Sequence, residues 1–149
     1  MIRQSDQMTD EEILNKLAKL PRSQWYKLFA LIPDIESKKD LGRWIGFTTV
    51  NNVTRFPHFE DGVTMTKFLE TIVEMELIVV FDWSHFDEGR KLLQSGLEDA
   101  DIVTLCKILT AIVRNDRFCD GALAHAMENG TILNILKAMQ SRVKDSLQK

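Results

Sequence analysis

The stretch DADIVTLCKILTAIVR, residues 99–114, decides the fold class. At about 100° per residue, Ile102, Leu105, Cys106, Ile108, Leu109, Ile112 and Val113 fall on one apolar arc of roughly 160°, wider than a surface helix shows. Such an arc needs neighbours around much of the helix, so this segment is expected to be the core element of a helical domain. At ~1.5–3 kcal/mol per side chain, burying these residues contributes about 10–20 kcal/mol before chain entropy is subtracted.

Helix signals continue on both sides. TDEE places Thr9 as an N-cap with Glu12 three residues on, a capping box ahead of an apolar stripe of Ile13, Leu14, Leu17 and Leu20. Pro21 ends that helix or opens the next, in which Trp25, Leu28, Phe29 and Ile32 share a face up to Pro33. A short third helix covers roughly 33–38. Met65, Phe68, Leu69, Ile72 and Val73 line a further helix, and ELIVVFDW (76–83) extends its apolar run with no polar side, so it is expected to be buried. Asp82 or Ser84 can cap a helix carrying Phe86, Leu92 and Leu93, closed by Gly96. Two more follow: one over about 117–128, ending at Asn129-Gly130, and one from Thr131 with Ile132, Leu136, Met139, Val143 and Leu147 as its stripe.

The segment LGRWIGFTTVNNVTRFPHFEDG, residues 41–62, breaks the pattern. Glycines, paired asparagines, a proline and β-branched residues leave no helical period, so about 42–62 reads as irregular, with room for one short β-hairpin around 45–60. A long irregular segment in a compact domain either binds something or wraps the core. The expected fold is all-α, a single multi-helix domain over residues 1–149.

Composition narrows the function classes. The chain of 149 residues is 44% hydrophobic and 28% charged with a formal charge of −3, which fits a globular protein and offers no basic footprint for nucleic acid or a membrane surface. Cys106 and Cys119 are too few for a disulfide framework and read as reduced thiols. His58, His85 and His125 have no metal-ligand spacing, and neither a P-loop, a dinucleotide fingerprint, a G-x-S-x-G nor an H-E-x-x-H occurs. Trp25, Trp44 and Trp83 read as core. With no signal-peptide pattern and no apolar run near the roughly 20 residues of a membrane span, the expected location is cytoplasmic.

The densest polar cluster follows the core helix, in RNDRFCDG (114–121). If that helix simply continued, Asp116 would point into the apolar arc, and an unpaired buried carboxylate costs several kcal/mol (~3–5). A break is cheaper. Asp116 then becomes the N-cap of the next helix, Arg114 and Arg117 hold the finished helix's carbonyls or Asp116 and Asp120, Phe118 anchors the turn, and Gly121 with the alanines after it allows close packing. The same groups support a second reading. Two arginines beside a helix N-terminus suit an anion or nucleotide, and Cys119 in a first turn, with His125 or His85 approaching, could form a thiol–imidazole pair.

TLCKILTAIVRNDRFCDGALAHAMENGTILNILKAM (104–139) also resembles the C-terminal signature of a family of small uncharacterised microbial proteins, a domain of unknown function, and FDWSHFDEGRKLL (81–93) resembles that family's D-W segment. The likeness is specific in the C-terminal half and loose over the first 60 residues. It implies that Arg114, Asp116, Arg117, Phe118, Cys119 and Gly121 form a shared structural or ligand-binding feature, with Asp82, Trp83 and His125 as secondary candidates. It implies no activity and no cofactor. The resulting expectation is a non-enzymatic protein-binding or regulatory module, small phage-encoded inhibitors of host systems being one such class. The alternative is a sensor or enzyme for an anionic small molecule or nucleotide at the Arg114/Asp116/Arg117/Cys119 corner.

Overall fold

Thr9 caps the first helix as its sequence predicts. In the computed structural model, which describes residues 7–119 and 121–147, its hydroxyl accepts the Glu12 N–H at 3.1 Å while the Glu12 carboxylate accepts the Thr9 N–H at 3.3 Å. Helix α1 (Asp10–Ala18) buries Ile13 and Leu17. Leu14, expected on the same stripe, is exposed. Helix α2 (Arg22–Phe29), with Pro21 at its N-cap, buries Trp25, Leu28 and Phe29, and the five-residue α3 (Ile32–Glu36) buries Ile32 and Ile35.

The irregular segment is more ordered than its composition suggests. It forms β1 (Gly42–Ile45), β2 (Thr48–Val50), β3 (Val53–Arg55) and β4 (His58–Asp61). β1 pairs antiparallel with β4 and β2 with β3, and one register runs through both ladders, with Trp44 opposite Phe59 and Val50 opposite Val53. The four strands therefore build one hairpin arm. Asn51 and Asn52 close it with φ of 52° and 65°, the sign pattern of a type I′ turn. The other regular elements are helices, so the chain is a mostly-α domain carrying one β-arm.

Helix α4 (Val63–Glu74) inserts Met65, Phe68 and Ile72 into the core. Val73, expected on that face, points outward with most of its side chain exposed. The apolar run after α4 is extended, not helical: Leu77, Val79 and Phe81 are buried while Val80 is exposed, the alternation that an extended backbone imposes. Thr110 fixes this segment from the core side. Its buried hydroxyl donates to the Cys106 carbonyl at 2.8 Å and accepts the Val79 N–H at 3.1 Å.

A 3-10 turn at Trp83–His85 leads into α5 (Asp87–Ser95), which ends at Gly96 with φ 120°. Helix α6 (Ile102–Asn115) starts where the Asp101 carboxylate accepts the Thr104 N–H at 2.8 Å. It buries Val103, Leu105, Cys106, Ile108 and Leu109, with Ile102, Ile112 and Val113 partly covered. Helix α7 (Ala122–Glu128) and helix α8 (Thr131–Leu147) complete the fold, and α8 contributes Ile132, Leu136, Met139 and Val143 to the core as expected. The side chain of Leu147, the last residue of the expected stripe, lies outside the described residues. One hydrophobic cluster runs from Ile13 to Val143, with α6 and α8 packed together at its centre. Among the described residues no helix is long and apolar enough to cross a membrane.

Candidate functional site

The corner between α6 and α7 is built by backbone reversal. Helix α6 stops at Asn115, after which the Phe118 and Cys119 N–H groups both donate to the Asn115 carbonyl at 3.0 Å. Gly121 then turns the chain with φ 87°, and α7 begins at Ala122. Helix α7 is shorter than expected, because residues 117–119 form a turn outside it. Asp116 is the C-cap of α6 and not the N-cap of α7. Its carboxylate still serves the next helix: Oδ1 accepts the Leu123 N–H at 3.0 Å, so Asp116 satisfies a free amide in the first turn of α7 from seven residues away.

Gly121 has a second reason to be glycine. A Cβ there would stand 2.2 Å from the Trp44 ring. Trp44 itself meets Phe59 edge-on at 5.6 Å, so the base of the β-arm is wedged against the corner. Trp44, expected in the core, is half-exposed in this wedge.

Phe118 does not anchor the turn inward. It is 78% exposed and stacks on Trp83, with ring centroids 5.8 Å apart and planes 29° from parallel. The reason is geometric: residues 117–119 bulge away from the bundle before Gly121 brings the chain back. Cys119 sits on this bulge, exposed, and so lies outside the first helical turn in which it was expected.

Arg114 and Arg117, one helical turn apart, stand between two shallow grooves. One, of about 400 Å³, is lined by Lys16, Val73, Glu76, Ile78 and Val113; the other, of about 240 Å³, by Val79, Val80, Phe81, Trp83 and Phe118. Both arginines line both. Among the described residues neither guanidinium has a carboxylate partner, and the expected clamp on Asp116 is not made, since that carboxylate faces the Leu123 amide. The other expected partner, Asp120, lies outside the described residues.

The secondary candidates divide. Asp82 gathers its own neighbours: Ser84 Oγ donates to Oδ1 at 2.7 Å and His85 Nδ1 lies 2.8 Å from Oδ2. Ser84 Oγ is also 3.2 Å from His85 Nδ1. Serine and aspartate thus crowd the same ring nitrogen, whereas a nucleophile–base–orienter set needs them on opposite ones. The cluster is a turn lock, and the Ser84 hydroxyl, followed by His85, holds the Asp82 carboxyl below the usual aspartate value. His125 is exposed on α7, and among the described residues no hydrogen bond joins it or His85 to Cys119. Cys106 is buried in α6, which pushes its thiol up to about 12.

Lys107 was not singled out by the sequence. Its ammonium pairs with Asp10 at 2.5 Å and lies 5.4 and 5.9 Å from the Phe81 and Phe86 ring centres, tying α1 and the extended segment to α6. No local pattern marks it, because its partners are brought together only by the fold. The arm's exposed residues could have been found from Asn51-Asn52, a turn pair between two β-branched runs.

Residues 20–145 match a family of unknown function (DUF6508). The chain belongs to that family. No curated protein and no solved structure matches it. The match runs from ahead of α2 to residue 145, near the end of α8, so the β-arm and the Arg114–Gly121 corner both fall inside the DUF6508 region, which reaches well beyond the C-terminal likeness.

Proposed function

We propose that this DUF6508 chain is a non-enzymatic protein-binding module, regulatory in role, that holds an acidic segment of another protein against Arg114 and Arg117 beside the Trp83–Phe118 stack. The observation that carries this reading is the pairing of two guanidiniums that lack an acidic partner among the described residues with an exposed, ring-stacked phenylalanine. Aromatic and arginine side chains dominate interface hot spots, and a guanidinium can meet a carboxylate through two parallel hydrogen bonds. The grooves on either side are shallow and open along the surface, a shape suited to an extended peptide. Binding is favoured over chemistry because the reactive groups nearby are committed: Asp116 to the Leu123 amide, Asp82 to Ser84 and His85.

The test is affinity capture from the native host with the wild-type chain and with Arg114→Ala/Arg117→Ala and Phe118→Ala. Both variants are expected to lose the captured partner while melting at the wild-type temperature. Equal recovery by all three chains would sink the proposal. A parallel thermal-shift series with inorganic phosphate and nucleotides separates the small-anion alternative. A rise in Tm that disappears in the arginine double variant would favour that alternative over a protein partner.

A further inference from the structure

We propose, building on the acidic-partner reading of Arg114 and Arg117, that the partner's segment runs on from the corner along a track to Lys16 and Lys19 of α1. On the way it displaces the Glu76 carboxylate from Lys16. A third groove, of about 520 Å³, opens on the α1 side, and its walls include Met8, Glu12, Lys16, Lys19, Leu20 and Glu76. Lys16 and Glu76 also line the 400 Å³ groove, which in turn shares Arg114 and Arg117 with the groove beside Trp83 and Phe118. The three therefore adjoin in a row, from α1 past the end of α4 to the corner.

The occupant follows from charge. The row is lined by four cations, Lys16, Lys19, Arg114 and Arg117, and by two carboxylates, Glu12 and Glu76, an excess of positive charge on a chain that carries −3 overall. The cations form two pairs, each spaced by about one helical turn, one pair on α1 and one at the end of α6. Glu12 is committed to the Thr9 cap, and among the described residues Lys19, like the two arginines, has no carboxylate partner. Between the pairs the middle groove is apolar, lined by Val73, Ile78 and Val113, and Val73 is 65% exposed. A segment that is acidic at both ends and apolar between them matches this order.

Glu76 holds the remaining cation. Its carboxylate lies 3.3 Å from Lys16 Nζ on a side chain that is 71% exposed, so water can take it back when another carboxylate arrives. Its backbone position is a costly one. Helix α4 closes with the Leu77 N–H donating to the Ile72 carbonyl at 2.9 Å and the Glu76 N–H to the Val73 carbonyl at 3.0 Å, which sets Glu76 in the left-handed region at φ 57°. Glycine ordinarily fills that position, and a glutamate there carries backbone strain. A side chain held at a glycine's position, with its carboxylate on the lysine that two grooves share, stands in for the partner's acid until the partner binds.

Fluorescence anisotropy of the full chain with a fluorescein-labelled peptide tests this. The peptide has about twelve residues, glutamates at both ends and alternating valine and alanine between, and reaches about 40 Å when extended, roughly the diameter of a domain this size. Binding is expected to weaken at least about fivefold in Lys16→Gln/Lys19→Gln and in Arg114→Ala/Arg117→Ala, and to tighten about threefold in Glu76→Gln. Circular dichroism should show unchanged helix content in all three, and glutamine keeps most of the lysine stem that packs on α1. Weakening in the arginine variant alone overturns the track and leaves the corner reading standing. Weakening in the lysine variant alone overturns both. A Glu76→Gln chain that binds the peptide no more tightly than the wild type overturns the proposal, as does a wild type that fails to bind it at about 500 µM. Tighter binding of an oligothymidylate of similar length would also overturn it and assign the track to nucleic acid.

Discussion

The Asp116 carboxylate accepts the Leu123 N–H at 3.0 Å, one side chain joining the end of α6 to the start of α7 across the corner. Helix α7 has seven residues, Gly121 at its N-cap offers no side chain, and no residue of its own sequence caps it. Asp116→Ala should therefore destabilise the chain by about 1 kcal/mol, within the ~0.5–2 range of a lost cap. Asp116→Asn, which retains the accepting oxygen, should cost less. Urea unfolding checks both: the midpoint should fall in the order wild type, Asn, Ala, with an unchanged m-value. An alanine variant as stable as the wild type would show that the Asp116–Leu123 bond contributes nothing.

Gly121 and Trp44 make a sharper pair. Gly121→Ala meets two penalties, a left-handed φ of 87° and a Cβ 2.2 Å from the Trp44 ring, together about 2–4 kcal/mol. In a Trp44→Ala background the ring is gone and the same substitution should cost only the backbone part, about 1 kcal/mol. A double-mutant cycle on thermal unfolding measures the difference. Additive effects would mean that the arm's base does not rest on the corner.

How much of this was legible in the sequence follows from distance along the chain. The Thr9–Glu12 capping box, the α6 stripe and the Asn129-Gly130 helix end involve residues a few positions apart, so spacing alone reveals them. The need for a break at Asp116 was also readable, because the alternative buried a carboxylate. Its partner was not: the sequence points to an amide two or three residues on, whereas the reversal through Gly121 presents the one seven residues away. The Trp44 wedge spans 77 positions (121 − 44 = 77) and leaves no local trace.

Apolar residues misled in a consistent way. Leu14, Val73 and Val80 sit on runs that read as buried, yet each faces out. Hydrophobic periodicity shows which residues could be buried and not how many neighbours a helix has, so a helix at the rim leaves part of its stripe uncovered. Phe118 is the strongest case. Its surroundings of charge, glycine and cysteine read as a turn with an inward anchor, while the bulge carries the ring out onto Trp83. The break after α6 was thus legible in the sequence, but the contacts made at the corner were not.

The two cysteines give the last prediction, with a sign that pH can test. Cys119 is exposed and Cys106 is sealed inside α6, its thiol pushed up from 9.0 to about 12 by loss of water. A water-soluble disulfide reagent should modify one thiol per chain in the native state and the second only on unfolding; Cys119→Ser should abolish the first reaction and leave the second. Because burial raises the folded pKa of Cys106, the unfolded chain ionises this group first. Between about pH 9 and 12 the unfolded state therefore binds fewer protons, and stability falls as pH rises through that window. Below pH 9 both states hold the thiol proton and the group contributes no slope. Cys106→Ala should lower Tm at neutral pH by leaving a small cavity, but flatten the alkaline decline relative to the wild type. Comparing the slopes of the two proteins removes the lysine and tyrosine titrations common to both. Parallel slopes above pH 9, or a Cys106 that labels as fast as Cys119, would place that thiol in contact with water.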